Sequence, residues 1–283
     1  MDPAMYGMGR LPIREKHPFF ENVGKSLRIL LHWPNLSAIV KIFNMRLTVR
    51  KLEKSFNEIC KKASPYGWDE NHISYTLMER LRDIFEKRRI RFNRWSKIVD
   101  WQSFKNKGQQ ETKFGDIAII VTIQFSSGEK LRGVACLEAK RDFPSGNFES
   151  IDLTQLTRIH GNLPYSQLLL YTQAANNLPL KFPDAKTWLS HFWVSPLNTA
   201  VAKLPQLASS ANRNVLRVSF PFSNFLMARI FWGHDLDYRG DVVQEIAQGI
   251  NRYFEPVFLG VVNVYYDNQR PIPFDLAEIW EPI

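Results

Sequence analysis

The passage that decides the fold runs from Gly115 to Asp142 and reads GDIAIIVTIQFSSGEKLRGVACLEAKRD. Ile117 to Ile123 is a β-branched run and Leu131 to Ala139 a second apolar run, joined through Ser126, Ser127 and Gly128, which predicts two strands and a turn. Alternate residues of a strand share a face, so Cys136, Glu138 and Lys140 point one way while Leu137 and Ala139 point the other. If the strands form a hairpin, Asp116 at the mouth of the first lands near Glu138 at the end of the second. Two carboxylates and an ammonium at the end of an apolar sheet suit a hard cation with a charged helper, as Mg²⁺-assisted attack on a phosphodiester requires. The structural alternative is a cross-strand ion-pair network with no chemistry attached.

The acid-x-Lys triplet is weak by itself, because Glu111-Thr112-Lys113 and Asp184-Ala185-Lys186 have the same form as Glu138-Ala139-Lys140. Context separates them: the middle triplet ends an apolar strand whose predecessor opens with Asp116. The first lies in a polar loop after Gly108-Gln109-Gln110, and the last has no strand before it. Glu70 stands three residues before Ile73 and seven before Leu77, on the apolar stripe of a predicted helix. It reads either as a first-turn acid favouring the helix dipole or as a carboxylate delivered to the metal site. Gln155, one residue before Leu156 and four before Ile159, reads either as a surface residue or as one at the site's edge.

Outward from this passage, residues 26–62 read as helical and basic, with a break at Trp33-Pro34-Asn35-Leu36-Ser37. Ser64-Pro65-Tyr66-Gly67 interrupts them, and a second helix begins at Asp69 or Glu70 with Ile73, Leu77, Leu81, Ile84 and Phe85 at helical spacing. Residues 152–160 read as a short helix closed by Gly161 and Pro164, 167–172 and 191–194 as strands, 241–254 as a helix and 258–266 as a last strand. The class is therefore α/β, with a central mixed β-sheet flanked by helices. The expected division is a basic helical N-terminal extension (1–64), a core (65–200) and an α/β C-terminal extension (201–283) that docks substrate or partner.

Composition narrows the function classes. The chain has 283 residues with 45% hydrophobic and 13% aromatic content, enough to bury a core and contrary to a disordered or collagen-like chain. Two cysteines, Cys60 and Cys136, make no disulfide framework and no cysteine zinc site, so a reducing, cytoplasmic location is expected. Thirty-seven Lys and Arg against 28 Asp and Glu leave a charge of +9, which suits a polyanionic partner. Apolar stretches such as residues 117–121 are far shorter than the roughly 20 residues a membrane span needs. The first residues carry Asp2, Arg10, Arg14, Glu15 and Lys16 without an apolar core, so neither a membrane role nor a signal peptide is expected.

Lys87-Arg88-Arg89-Ile90-Arg91-Phe92-Asn93-Arg94-Trp95-Ser96-Lys97 carries six basic residues and no acid, with Phe92 and Trp95 interleaved. Arg88, Arg89, Arg91, Arg94 and Lys97 are candidate phosphate contacts; the bland reading is a solvated helix end. Other motif-like stretches fail. Asn22 to Ser26 mimics the tail of a P-loop but has Phe19 where glycine belongs. Asp235 to Gly240 mimics a calcium loop but has Ile246 where the bidentate glutamate belongs. No two of the histidines lie close together in the chain, which gives zinc no support.

Glu70 on a helix, Gly115-Asp116, Glu138-Ala139-Lys140 some twenty residues on, then a helix with Gln155 and Arg158, together resemble the PD-(D/E)xK nuclease superfamily, which has the restriction-endonuclease-like fold. The resemblance covers about half of the chain, roughly residues 68–196, and departs in placing Gly115 where the family's name has proline. It implies a restriction-endonuclease-like core, with Asp116 and Glu138 as metal-binding carboxylates and the Ala139 carbonyl as a further ligand. It also implies Lys140 as the residue that orients and activates the attacking water, Glu70 as the helix carboxylate at the metal, and Gln155 as an accessory active-site residue. Prokaryotic restriction and phage-defence nucleases are nearest in flavour. The expected function is a Mg²⁺- or Mn²⁺-dependent deoxyribonuclease, as a homodimer or in a hetero-complex with other DNA-processing or defence subunits. The alternative is a catalytically inactive module of the same fold that binds nucleic acid or a partner protein.

Overall fold

In the computed structural model, which describes residues 36–64, 67–92, 95–108, 113–148, 151–176, 190–203, 213–249 and 256–283, each helix can be traced to a local cause. Helix α1 (Leu36–Ala63) buries Val49, Leu52, Phe56, Ile59 and Ala63 at alternating three- and four-residue steps, with Cys60 beside them, and ends with Lys61 and Lys62, whose charge suits its C-terminal dipole. Helix α2 (Glu70–Phe85) starts where the Asp69 side chain accepts hydrogen bonds from the Asn71 and His72 amides. It buries Ile73, Leu77, Leu81, Ile84 and Phe85, as the spacing predicts, each worth about 1.5–3 kcal/mol of transfer free energy. Asp152 caps α3 (Leu153–Asn162) through the Thr154 amide. Short helices α4 (Leu197–Lys203) and α5 (Phe222–Ala228) follow, then α6 (Gly240–Gln248). The last stops six residues before the expected 254, because Gly249 takes a left-handed conformation with φ 57° and donates its amide to the Glu245 carbonyl. Residues 250–255 lie outside the described residues, as do 1–35, Arg94 and the Asp184-Ala185-Lys186 triplet.

Nine strands form one mixed sheet: β1 (Arg88–Phe92), β2 (Trp95–Asn106), β3 (Ile117–Gln124), β4 (Lys130–Arg141), β5 (Gln167–Asn176), β6 (Ser190–Pro196), β7 (Phe220–Pro221), β8 (Phe258–Tyr266) and β9 (Trp280–Pro282). Their spatial order is β1-β2-β8-β3-β4-β5-β6-β7, with β9 beside β2. The β3–β4 hairpin forms as read, Ile117 opposite Leu137 and Gln124 opposite Lys130. β4 and β5 pair in parallel across α3, and β6 returns antiparallel.

Two features depart from the sequence reading. The basic run is no helix end: it forms β1 and the start of β2, an antiparallel hairpin in which Arg88 faces Val99 and Phe92 faces Trp95. Ile90 and Val99, both buried, supply the apolar face that its charges obscure in the sequence. The strand at 258–266 is not peripheral either. β8 runs parallel to β3 and antiparallel to β2, filling the middle of the sheet, so segments 65–200 and 201–283 share one core. Residues 41–283 make up one compact unit, and of the residues before it only 36–40, the first turn of α1, are described.

Alternation divides the core. Val99, Trp101, Ile117, Ile119, Val121, Ala135, Leu137, Ala139, Tyr171 and Phe258 face α1, α2 and α5. Ala118, Ile120, Val134, Cys136, Leu259 and Val261 face α6 and Trp280 on the other side. There Leu168, Leu170 and Trp193 also meet Leu156 and Ile159 of α3. No helix among the described residues is long and apolar enough to cross a membrane.

Candidate active site

Gly115 brings the first carboxylate into place. Its φ of 89° is left-handed, and a Cβ there would lie 2.7 Å from the Leu137 carbonyl oxygen and 3.2 Å from the Glu138 nitrogen. Glycine alone fits both demands, and proline, locked near −65°, is excluded by the first. The chain thus turns directly against the backbone of β4, and the next residue, Asp116, accepts a hydrogen bond at Oδ2 from the Ala139 amide at 2.8 Å. The Asp116 carbonyl accepts from the Phe258 amide at 3.0 Å, which ties the turn to β8.

Beyond Leu137, β4 has no β3 residue opposite it, and Asp116 takes the position a strand partner would hold. A residue's N–H and C=O point to the same neighbour in such a ladder, so the Ala139 carbonyl faces the same side as its Asp116-bound amide. Glu138 and Lys140 share the face of Cys136 and Val134, as the alternation predicts, and Asp116 precedes Ala118 on that same face by two residues.

Glu138 is fully buried, and Lys140 is 6% exposed. The Lys140 Nζ lies 2.7 Å from Glu138 Oε1 and 3.8 Å from Glu70 Oε2. Glu70, from the first turn of α2 on the opposite face of the sheet, also accepts the Arg141 amide at Oε1, at 3.1 Å. Four of the predicted residues, Glu70, Asp116, Glu138 and Lys140, are therefore brought together. Beneath them the Ser74 and Tyr171 hydroxyls meet at 2.8 Å and link α2 to β5.

The electrostatics follow from three carboxylates crowding one ammonium in a desolvated place. Burial and the neighbouring Asp116 charge push Glu138 up to about 8, against the pull of Lys140. Burial raises Asp116 as well, opposed by Lys140 and by the Ala139 hydrogen bond. Lys140 is lowered by burial, yet Glu138, Asp116 and Glu70 together hold it above the ordinary lysine value, so it stays an ammonium. Both Glu138 oxygens are buried, and its carboxyl shares a side-chain hydrogen bond with Asp116. Among the described residues, no group of three or more His, Cys, Asp or Glu converges so as to hold a metal ion by itself.

The remaining candidates lie elsewhere. Gln155 is half-buried on α3, and no hydrogen bond joins it to the other four. The basic hairpin is at the opposite end of the sheet: Lys97 pairs with Tyr266, whereas Lys105 of the same strand pairs with Phe258 beside Asp116, eight residues away. At about 3.3 Å per residue this separates them by about 26 Å along the strand. The run follows the Glu70 helix in sequence, but α2 carries the chain away from the site. Arg88 and Arg89 are exposed, with Arg89 3.3 Å from Asp267. Lys97 is not on the solvent-exposed part of the hairpin. It is buried, its Nζ 5.0 Å from the Trp232 ring and 5.4 Å from the Tyr266 ring, and burial lowers its pKa.

Sequence reasoning missed a groove beside the cluster, lined by Asn71, His72, Tyr75, Lys105, Val257 and Phe258. Only the pairing of β8 with β2 and β3 brings those residues together, and no local pattern announces it. No family model matches this chain, and no curated protein or solved structure matches it either.

Proposed function

We infer that the protein is a divalent-cation-dependent nuclease that hydrolyses phosphodiester bonds of DNA, with its active site at the Asp116, Glu138, Lys140 and Glu70 cluster. The observation that carries this reading is the convergence of the Glu138, Asp116 and Glu70 carboxyls on a single ammonium, Lys140, with Glu138 wholly removed from water. A buried acid in that state calls for a proton or a cation.

The donors suit a hard cation. They are all oxygen, and Mg²⁺ typically takes one or two protein carboxylates and completes its shell from phosphate and water, so three converging acids are not required. Asp116 and Glu138 would hold the ion, with the Ala139 carbonyl beside them and Glu70 at the rim. When bound, the cation stabilises charge developing on the phosphate oxygens and makes water more acidic. Lys140, held as an ammonium, is unsuited to take a proton from water; it can donate hydrogen bonds that orient the nucleophile and offset phosphate charge. Asp116 is positioned by Gly115 and the Ala139 amide, and Glu70 by the Arg141 amide, so these side chains need little reorganisation.

A second reading, the catalytically inactive module, is favoured by the 2.7 Å Lys140–Glu138 contact, which already neutralises one acid. Incubation of the purified protein with plasmid and linear DNA, with Mg²⁺, with Mn²⁺ and with chelator, separates the two. Cation-dependent cleavage that Asp116→Asn abolishes supports the nuclease; no cleavage of any substrate leaves the binding module.

A further inference from the structure

We propose that the groove beside the carboxylate cluster seats an unpaired nucleotide of the substrate, its base against the exposed face of Tyr75 and its phosphate against Lys105. This rests on the nuclease reading for the chemistry at the groove's inner end. The groove and the cluster share a wall: Phe258 lines the one and donates its amide to the Asp116 carbonyl of the other at 3.0 Å, while Asn71 and His72 directly follow Glu70. Its volume of about 440 Å³ falls within the roughly 300–1,000 Å³ of pockets that enclose small organic ligands.

Tyr75 is 39% exposed, a large fraction for an aromatic ring on a helix whose other face is wholly buried. Its ring stands at 68° to that of Phe258 with centroids 6.5 Å apart, which fixes it as a platform before any ligand arrives. Lys105, exposed at the end of β2, lies opposite Phe258 in the ladder and so faces the same groove. The described lining contains Lys105 and His72 and no carboxylate, which favours an anionic occupant. An aromatic face beside a cation is the combination that holds single-stranded nucleic acid, whose bases have free faces. A paired duplex keeps its bases stacked inside and offers Tyr75 nothing.

The test is fluorescence anisotropy with a labelled oligothymidylate and a blunt duplex, both in chelator so that binding is read apart from cleavage. Tyr75→Ala is expected to weaken oligothymidylate binding about tenfold or more, and Tyr75→Phe to leave it unchanged. Lys105→Ala is expected to lower the slope of log K against log salt by about 0.7. Duplex binding should not respond to Tyr75→Ala. Equal oligothymidylate affinity in wild type and a folded Tyr75→Ala variant, or equal loss for duplex and single strand, overturns the proposal. Tyr75-dependent binding without Mg²⁺- or Mn²⁺-dependent cleavage would instead remove the nuclease reading and leave a nucleotide groove. Cleavage with Tyr75-independent binding would do the reverse.

Discussion

The two ends of the central sheet bury charge by opposite means. At the Asp116 end, Glu138 and Lys140 are both removed from water, and each is held by the other and by Asp116 and Glu70. At the far end, Lys97 is buried against the Trp232 and Tyr266 rings, and its pKa is lowered by desolvation. Of the other charges described at that end, Arg88 and Arg89 lie on the short edge strand β1 and are exposed. Charge on an edge strand discourages pairing with a second sheet, which explains those arginines without any ligand. A cluster whose members perturb one another inside a desolvated site needs a different explanation, and that asymmetry directs the functional reading to one end.

The largest expected effect breaks or upholds this contrast. Lys140→Ala is expected to lower cation-dependent cleavage about 10²–10³-fold, the usual loss for one electrostatic donor at a reacting phosphate or carbonyl. Arg88→Ala with Arg89→Ala should leave turnover within a factor of about two. Single-turnover cleavage at saturating Mg²⁺ measures both, and comparable losses would abolish the distinction between the ends.

The second prediction compares two glycines that flank β3. Gly115 and Gly128 have φ of 89° and 88°, but a Cβ at Gly115 meets the Leu137 carbonyl at 2.7 Å and one at Gly128 meets nothing within 4 Å. Gly128→Ala should cost about 1 kcal/mol, from the backbone conformation alone, and Gly115→Ala about 3 kcal/mol because β4 must also yield. Urea denaturation of each variant gives the difference. Equal costs would mean that Asp116 is not held by this close approach.

What the sequence made legible follows from how local each signal is. The β3–β4 hairpin could be read because its β-branched run and its Ser-Ser-Gly turn are contiguous, and its register then placed Asp116 beside Glu138. Glu70 could be read from the stripe of α2, which depends only on residues within four turns. The edge hairpin could not: charges at 88, 89, 91, 94 and 97 fall on both faces and hide the period of two, and among the described side chains of β1 Ile90 is the buried apolar one. The distance between the basic run and the site depends on the direction of α2, whose 16 residues span about 24 Å. The groove depends on a strand more than 180 residues from Asn71, and pairing of that kind leaves no trace in a local window.

A half-buried acid elsewhere separates the effect of burial from that of charged company. Glu53 of α1 is bonded to the Ser223 hydroxyl. Burial pushes it up to about 7, opposed by hydrogen bonds from Ser223 and Ser190. A carboxyl raised in the folded state is neutral in both states at low pH, so its contribution is fully present below the ordinary value of 4.5. As pH rises toward 7 the unfolded chain ionises first and stability falls, by on the order of 2 kcal/mol from this group. Glu53→Gln should remove that part of the slope, read as the wild-type-minus-variant difference in urea stability between pH 4.5 and pH 7. A constant difference across the window would mean that Glu53 is ionised in the folded protein.

The smallest effect is expected at the far end. If Arg88 and Arg89 only protect the sheet edge, replacing both with Ala should leave the slope of log K against log salt unchanged for duplex DNA, whereas an arginine that neutralises a phosphate would take about 0.9 from that slope on its removal. Arg88 and Arg89 lie opposite Val99 and Ile98, six and seven residues from Lys105 along the same sheet, a separation of about 20–23 Å, or about six to seven base pairs at roughly 3.4 Å each, so duplex length becomes a ruler. Affinities of wild type and the double variant across a salt series, with duplexes shorter and longer than this, should give parallel lines throughout. Lines that diverge only for the longer duplexes would put the hairpin on the path of DNA leaving the cluster. The two ends would then be parts of one binding surface, with the arginines positioning a duplex whose scissile phosphate lies at Asp116 and Glu138, and their sequence-independent grip on the backbone would alter affinity without altering where the strand is cut.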